Sequence, residues 1–355
     1  MALFHGIEDV IVEFADVFNV VYCIDAIDNL FSLLSLKFSH HLKMKTENRS
    51  TTITSFVLWG FSHNLPINLF LFFVFLFIYV LTLLGNIVIM VVASHLSSPV
   101  YFFLTHLAVI DICLSSVTVP KFLGILTARQ AISYSACFGQ VFFILLTGCN
   151  EACILAVMAY DRFAAICKPL HYVQIMKKAC CRWLVGGAWT IAFSYAFVNT
   201  FSALKLNFCR ENFIKHFSCE LPSLLALSCT DTLSNWILFF ITGGVIVICS
   251  FGFILFSYIH IISTILKLNF AEAKRKTLST CTAHLIVLVL YYSTGCFRYM
   301  RPNSASSIIV DELISIQYSI STPMLNPLIY SLKNREVKEA IKKLLGYKPL
   351  ISHTE

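Results

Sequence analysis

The sequence predicts an all-α membrane protein: a seven-transmembrane helix bundle followed by a short cytoplasmic amphipathic eighth helix. Three observations carry this. The 355 residues are 58% hydrophobic and only 13% charged, with 32 Phe, which is too apolar for a water-soluble domain. The apolar residues gather into seven blocks, at 67–93, 100–123, 138–162, 183–203, 236–262, 277–300 and 308–331, each long enough for a helix to cross a bilayer. Fifteen of the 26 Lys and Arg fall in three stretches, Arg162–Arg182, Lys267–Lys276 and Lys333–Lys348, all on one side of such a bundle. By the positive-inside rule that side is cytoplasmic, and the amino terminus lies outside. The net charge of +7 therefore reads as membrane topology rather than nucleic-acid binding.

Residues 1–43 hold Glu8, Asp9, Glu13, Asp16, Asp25 and Asp28 among apolar residues, the opposite flank to that of a signal peptide. Met44 stands 22 residues before Pro66 and makes a compact start, so 1–43 reads as a dispensable extension and 44–66 as the extracellular terminus. Asn48-Arg49-Ser50 is the one N-x-S/T sequon of the chain and falls on the outer side, which makes Asn48 the expected glycosylation site. The membrane domain follows over 67–331, and 332–355 form the cytoplasmic helix and tail.

Span one carries Gly85-Asn86; an Asn in lipid is costly and is expected to face other helices. Span two holds Asp111 about halfway along and is kinked or ended by Pro120. In span three, Cys137, Val141, Ile144, Gly148, Glu151, Leu155, Met158 and Arg162 recur at steps of three and four, placing them along one helical face. From Cys137 to Arg162 that helix is about 37 Å long at 1.5 Å per residue, with a cysteine at its start, an acid in its middle and Asp161-Arg162 where it leaves the lipid. The outer loop of about 204–235 carries Cys209, Cys219 and Cys229; with Cys137 these make four cysteines on the oxidising face, for which three pairings exist. His216-Phe-Ser-Cys219-Glu220 has the ingredients of a metal site, but a disulfide at Cys219 removes the thiolate ligand. Span six runs from Thr277 through His284 to Leu290-Tyr-Tyr-Ser-Thr-Gly295, and span seven ends in Pro323-Met-Leu-Asn-Pro-Leu-Ile-Tyr330. After Asn334, Val337, Ile341, Leu344 and Leu345 share one face and Lys338, Lys342 and Lys343 the other, the pattern of a helix lying on a membrane.

From about Asn48 to Gly346 the chain resembles the olfactory receptors, a branch of the rhodopsin-like G-protein-coupled receptors. The resemblance rests on Gly85-Asn86, Pro99-Val-Tyr-Phe-Phe-Leu104, Met158-Ala-Tyr-Asp-Arg-Phe163, Ile166-Cys-Lys-Pro-Leu-His-Tyr172, Lys276-Thr-Leu-Ser-Thr-Cys281 with His284, and Pro323–Tyr330. Three positions depart from the usual pattern. Val100 replaces a Met, Phe163 replaces the Tyr of Asp-Arg-Tyr, and Ser293 replaces the Gly of a Tyr-Gly-Thr triplet. None removes a charge. The resemblance implies pairings Cys137–Cys219 and Cys209–Cys229, and a switch in which Arg162, held by Asp161 at rest, is freed to meet a G protein. It gives Phe163 a place in that motif and makes Asn326, Pro327 and Tyr330 moving partners in span seven. It also implies a stimulatory G protein, a rise in cyclic AMP, and a plasma-membrane location.

The ligand cavity is expected between spans three, five, six and seven. Between Cys137 and Glu151 span three has no acid to pair with an amine, and span seven has no Lys between Ile308 and Ser331 to form a retinal Schiff base. What remains is apolar and aromatic, with a few hydroxyls: Ile144, Leu145, Gly148, Cys149, Tyr292, Thr294 and Ser319 are the candidate contacts for a small volatile molecule. Asp111 and Glu151 each lie 11 residues inside the cytoplasmic edge, about 16 Å deep by helix rise, where two carboxylates cannot both stay charged unaided. Either they bind protons and form packing hydrogen bonds, or they share a cation, with Asn86 and Asn326 nearby; the resemblance favours a sodium ion, and no other cofactor is expected. A multi-pass transporter or channel is the competing reading, but the sequence shows no repeated halves. An enzyme lacks a nucleophile, base and orienter constellation within the spans.

Overall fold

A backbone in hydrocarbon must satisfy its own hydrogen bonds, so apolar blocks of this length become helices. The computed structural model describes residues 54–59, 65–96, 98–208, 212–267, 271–299, 308–333 and 335–344. Among the described residues five helices are long and apolar enough to cross a membrane: α1 (Leu65–Ser94), α2 (Pro99–Leu126), α3 (Tyr134–Cys167), α4 (Lys178–Ala203) and α5 (Leu233–Leu266). Helix α6 (Ala271–Tyr299) is as long, but its apolar part is the shorter Cys281–Gly295. Helix α7 is built in three pieces, Ile308–Ile316, a wider π-turn over Gln317–Ser321, and Thr322–Lys333. A ten-residue helix, α8 (Arg335–Leu344), follows, with Val337 buried and Lys338 and Lys342 exposed. The helices overrun most of the apolar blocks by a few residues, because capping groups and loop contacts continue the backbone ladder beyond the lipid-compatible side chains.

Local chemistry sets several ends. Ser133 caps α3 by accepting from the Ala136 amide at 3.3 Å, a bond worth about 1 kcal/mol. Pro99 starts α2, where its missing N–H costs nothing. Beyond α2 the chain reverses through Ala128 at φ 66°, and Lys121 Nζ donates to the carbonyls of Arg129 (2.8 Å) and Ala131 (2.5 Å) to hold that reversal.

Helix α3 is the centre of the bundle and packs against α2, α4, α5 and α6. The stripe read from the sequence is only part of its buried surface: Phe138, Phe142, Thr147, Asn150 and Ile154 are as inaccessible as Cys137 and Leu155. A helix with neighbours on all sides cannot show a single apolar face. Two apolar clusters surround it, one at the disulfide end and one at the basic end.

The all-α expectation needs one correction. A three-stranded sheet in the order β2-β1-β3 sits at the disulfide end, made of β1 (Ser55–Leu58), β2 (Ala131–Ser133) and β3 (Phe213–Ile214). Strand β1 runs antiparallel to β2, with Phe56 opposite Ile132, and parallel to β3, with Val57 opposite Phe213. Phe56 and Leu58 are fully buried, and Phe56 stacks on Tyr134 with ring centroids 5.8 Å apart. Strands of two to four residues are too short to show a period of two in sequence.

Candidate functional site

The disulfide end is tied first. Cys137 and Cys219 are bonded, both fully buried, and join α3 to the loop 82 residues later. Gln140, one turn on, braces the tie from both ends of its amide: Nε2 donates to Val117 O (2.9 Å) and Oε1 accepts from the Cys219 amide (2.7 Å). Cys229 is disulfide-bonded as well, while Cys209, its expected partner, lies outside the described residues, as does Asn48. His216 in this loop bonds Ser315 Oγ of α7 through Nε2 (3.0 Å), with Glu220 at 3.7 Å. With Cys219 oxidised, the histidine joins loop to bundle, and the described residues contain no group of three potential metal ligands.

Gly148, one of the candidate ligand contacts, is met by two tyrosines. A Cβ there would lie 2.8 Å from the Tyr318 hydroxyl, and the bare Gly148 carbonyl accepts from Tyr291 Oη at 2.8 Å. Neither tyrosine stood among the sequence candidates; Tyr291 adjoins Tyr292, and Tyr318 sits in the π-turn, which no direct sequence signal marked. Tyr292 pairs with Ser250 Oγ of α5 at 2.9 Å. Thr294 and Ser319 give their hydroxyls to their own helices, at Leu290 O and Ser315 O. Leu145 and Cys149 join the apolar cluster at this end, and Ile144 is half-buried. The π-turn is reinforced by Thr322, whose hydroxyl and amide both reach Gln317 O five residues back. Such turns widen a helix and occur often at functional positions.

Halfway down lies a buried polar layer. Asn326 donates Nδ2 to both oxygens of Asp111 at 3.0 Å and is within hydrogen-bonding reach of Glu151; both acids are 1% exposed. Glu151 Oε1, Asn326 Oδ1, Tyr330 Oη and both polar atoms of Asn150 have no hydrogen-bond partner among the described residues. Asn86 completes the layer from α1, donating to Thr82 O (2.9 Å) and Pro323 O (3.0 Å). Lower still, His284 of α6 stands between Tyr258 Oη of α5 (2.8 Å) and Leu155 O of α3 (3.1 Å), a three-helix joint. A ring nitrogen facing a carbonyl must carry the proton, so the other accepts from Tyr258.

At the basic end Arg162 Nε and Nη2 reach Asp161 Oδ2 at 3.1 and 2.5 Å, and Asp161 is fully buried. Tyr172, in the turn after α3, donates to the other carboxylate oxygen at 2.8 Å. Burial and the Asp161 carboxylate push the Tyr172 phenol above its ordinary range, so it remains a donor at neutral pH. Phe163 meets Phe256 and His260 of α5. A groove of about 1460 Å³ opens on another side of the bundle, between the ends of α1, α2 and α4.

A sequence profile of the olfactory receptor family matches residues 75–348. Olfactory receptor 8H3 of Homo sapiens is 43% identical over 305 residues, covering 85% of this chain and 98% of that protein. Olfactory receptor 1G1 of Gorilla gorilla gorilla is 43% identical over 306 residues (85% and 98%), and olfactory receptor 8S1 of Homo sapiens is 45% identical over 292 (81% of each). The chain belongs to the olfactory receptor family, multi-pass membrane receptors rather than enzymes, for which a seven-span bundle, odorant sensing and G-protein coupling follow.

Proposed function

We propose that this receptor binds a small, neutral, volatile odorant near Gly148 and activates a stimulatory G protein to raise cyclic AMP. In this reading it sits in the plasma membrane with the disulfide end outside, Asn48 glycosylated, Cys209 paired with Cys229, and α8 lying on the cytoplasmic surface. The observation that carries it is one continuous helix, α3. It holds the Cys137 tie, the uncharged stretch around Gly148, the Glu151 carboxyl and the Asp161–Arg162 pair in series. Odorant entering between Gly148, Tyr291 and Tyr318 would displace contacts from α6 and α7 onto α3, and the prolines and π-turn of α7 let that helix respond. The test is cyclic AMP in transfected cells given a panel of neutral odorants. A dose-dependent rise that Gly148→Val abolishes at equal surface expression is expected. An ion current or solute flux without any cyclic-AMP response would overturn it in favour of a channel or transporter.

The Asp161 carboxylate holds two donors, so removing its charge is expected to release Arg162. Asp161→Asn should raise odorant-free cyclic AMP by up to about tenfold, the effect of losing roughly 1.5 kcal/mol of charge-assisted bonding. Tyr172→Phe should raise it less, because the ion pair remains. Basal signalling at or below wild type in Asp161→Asn would contradict the latch.

The polar layer fits a sodium ion. Two nearby carboxyls and the partnerless Glu151 Oε1 and Asn326 Oδ1 form an oxygen-only donor set, which suits a hard monovalent cation. Asp111, Glu151 and Asn326 would hold it, and its charge would let both acids ionise at that depth. Asp111→Asn and Glu151→Gln are each expected to abolish the sodium dependence of basal cyclic AMP; dependence surviving both substitutions would rule the site out.

A further inference from the structure

Five hydroxyls around Gly148 and the neighbouring turns of α6 and α7 already have partners inside the protein. Tyr291 donates to Gly148 O, Tyr292 pairs with Ser250, Thr294 and Ser319 bond their own helices, and Ser315 bonds His216. A hydroxyl that must give up one bond to make another gains little from a ligand. Glu312, near the outer end of α7, is different. It is 5% exposed, and its Oε1 has no hydrogen-bond partner among the described residues. The ion pairs formed there, Arg162 with Asp161 and His216 with Glu220, leave it out.

Its place in the fold ties it to the odorant site. Glu312 and Ser315 stand three residues apart in the piece Ile308–Ile316 and so share a helical face. That face meets the loop tied by Cys219, because Ser315 carries the His216 bond, and the same piece packs against α6. Tyr318, which closes over Gly148, follows six residues further in, about 9 Å by helix rise. An extended chain of about seven carbon–carbon bonds covers that distance. A carboxylate enclosed with neither a counter-ion nor a hydrogen bond is strongly disfavoured, so the group holds its proton and presents an O–H donor beside a carbonyl acceptor. A hydrocarbon would leave that donor unmet, and a protonated amine would pair only with the ionised form.

We propose that Glu312 selects among odorants by donating a hydrogen bond to a carbonyl or hydroxyl oxygen at the outer end of an apolar chain whose tail reaches Gly148. This rests on the reading of Gly148 as the odorant site and names the class of odorant: aliphatic aldehydes, ketones and alcohols, ahead of alkanes and amines. The test is cyclic AMP in cells expressing the full chain, with octanal, 1-octanol, octane and octylamine as probes and surface receptor measured in parallel. The two oxygenated probes should act at lower concentration than the other two. Glu312→Leu should raise their half-maximal concentration by about tenfold, the effect of losing one bond to a buried donor. Glu312→Gln, which keeps a neutral donor and acceptor, should restore most of the response. Because the carboxyl has no partner in the empty receptor, Glu312→Leu should not lower thermal stability, as loss of a structural contact would. Octanal and 1-octanol responses unchanged in Glu312→Leu, a lowered melting temperature in that variant, or octylamine as the most potent probe would each overturn the proposal. Responses that Gly148→Val abolishes and Glu312→Leu spares would overturn the role of Glu312 alone, whereas silence toward every neutral odorant would count against the Gly148 reading. Should no probe signal, difference infrared spectra of purified receptor decide. Octanal should lower the C=O stretch of a protonated carboxyl that Glu312→Gln removes, and the absence of that band, or a band that octanal does not move, would overturn the proposal.

Discussion

Replacing Cys137 or Cys219 by serine is expected to clear the receptor from the cell surface. The bond closes a loop of 82 residues, which in the chain-entropy picture contributes at most about 4.5 kcal/mol. That is a large share of the 5–15 kcal/mol that typically holds a fold together. Either substitution also places a serine hydroxyl at a fully buried position, with a desolvation cost of about 1–3 kcal/mol if it is left unbonded. The damage should spread along the contacts the bond organises: the Gln140 bond to the Cys219 amide, β3 against β1, and His216 on Ser315. Because both cysteines serve one bond, the double serine variant should exceed either single one by no more than the cost of its second buried hydroxyl. Gln140→Leu, which takes the side-chain acceptor from the Cys219 amide, should reduce surface receptor partially. Surface staining against total receptor measures all four, and normal surface levels in Cys137→Ser would contradict the argument.

How much of this was legible in the sequence depends on the range of the interaction. The helices were legible because hydrocarbon imposes a length and a composition on each span, and Asp161 beside Arg162 could be read because adjacent residues need no fold to meet. Burial of Asp111 and Glu151 at a common depth followed from helix rise alone. Contacts set by packing were not visible. Tyr291 and Tyr318 reach Gly148 only because α6 and α7 cross α3 at that height, and Tyr172 reaches Asp161 only through the turn after α3. The π-turn at Gln317–Ser321 leaves only an indirect trace in Pro323, which has no N–H for the carbonyl four residues back at Ser319, inside the turn. The sheet joins three segments that are far apart in sequence and individually too short to announce themselves.

The joint between α1 and α7 should give the second large effect, and it explains why Gly85 and Asn86 stand together. Pro327 lies inside the last piece of α7 and has no N–H, so the carbonyl four residues back, at Pro323, loses its helical partner. Asn86 Nδ2 supplies the missing donor from α1 at 3.0 Å. Gly85 makes the approach possible, since a Cβ there would stand 3.0 Å from Pro327 Cγ, against a ring that cannot swing away. Asn86→Leu is therefore expected to leave a buried carbonyl unpaired at a cost of about 1–3 kcal/mol, and to lower both thermal stability and surface expression. Gly85→Leu should do so more severely, because it separates the helices as well as unpairing them. The decisive variant is Asn86→Leu combined with Pro327→Ala, which returns an amide donor to Pro323 O from within α7. Stability should recover in that double variant even if signalling does not, because the hinge has been removed. If Asn86→Leu is no less stable than wild type, or if Pro327→Ala deepens its defect, Asn86 does not act by repairing the proline break.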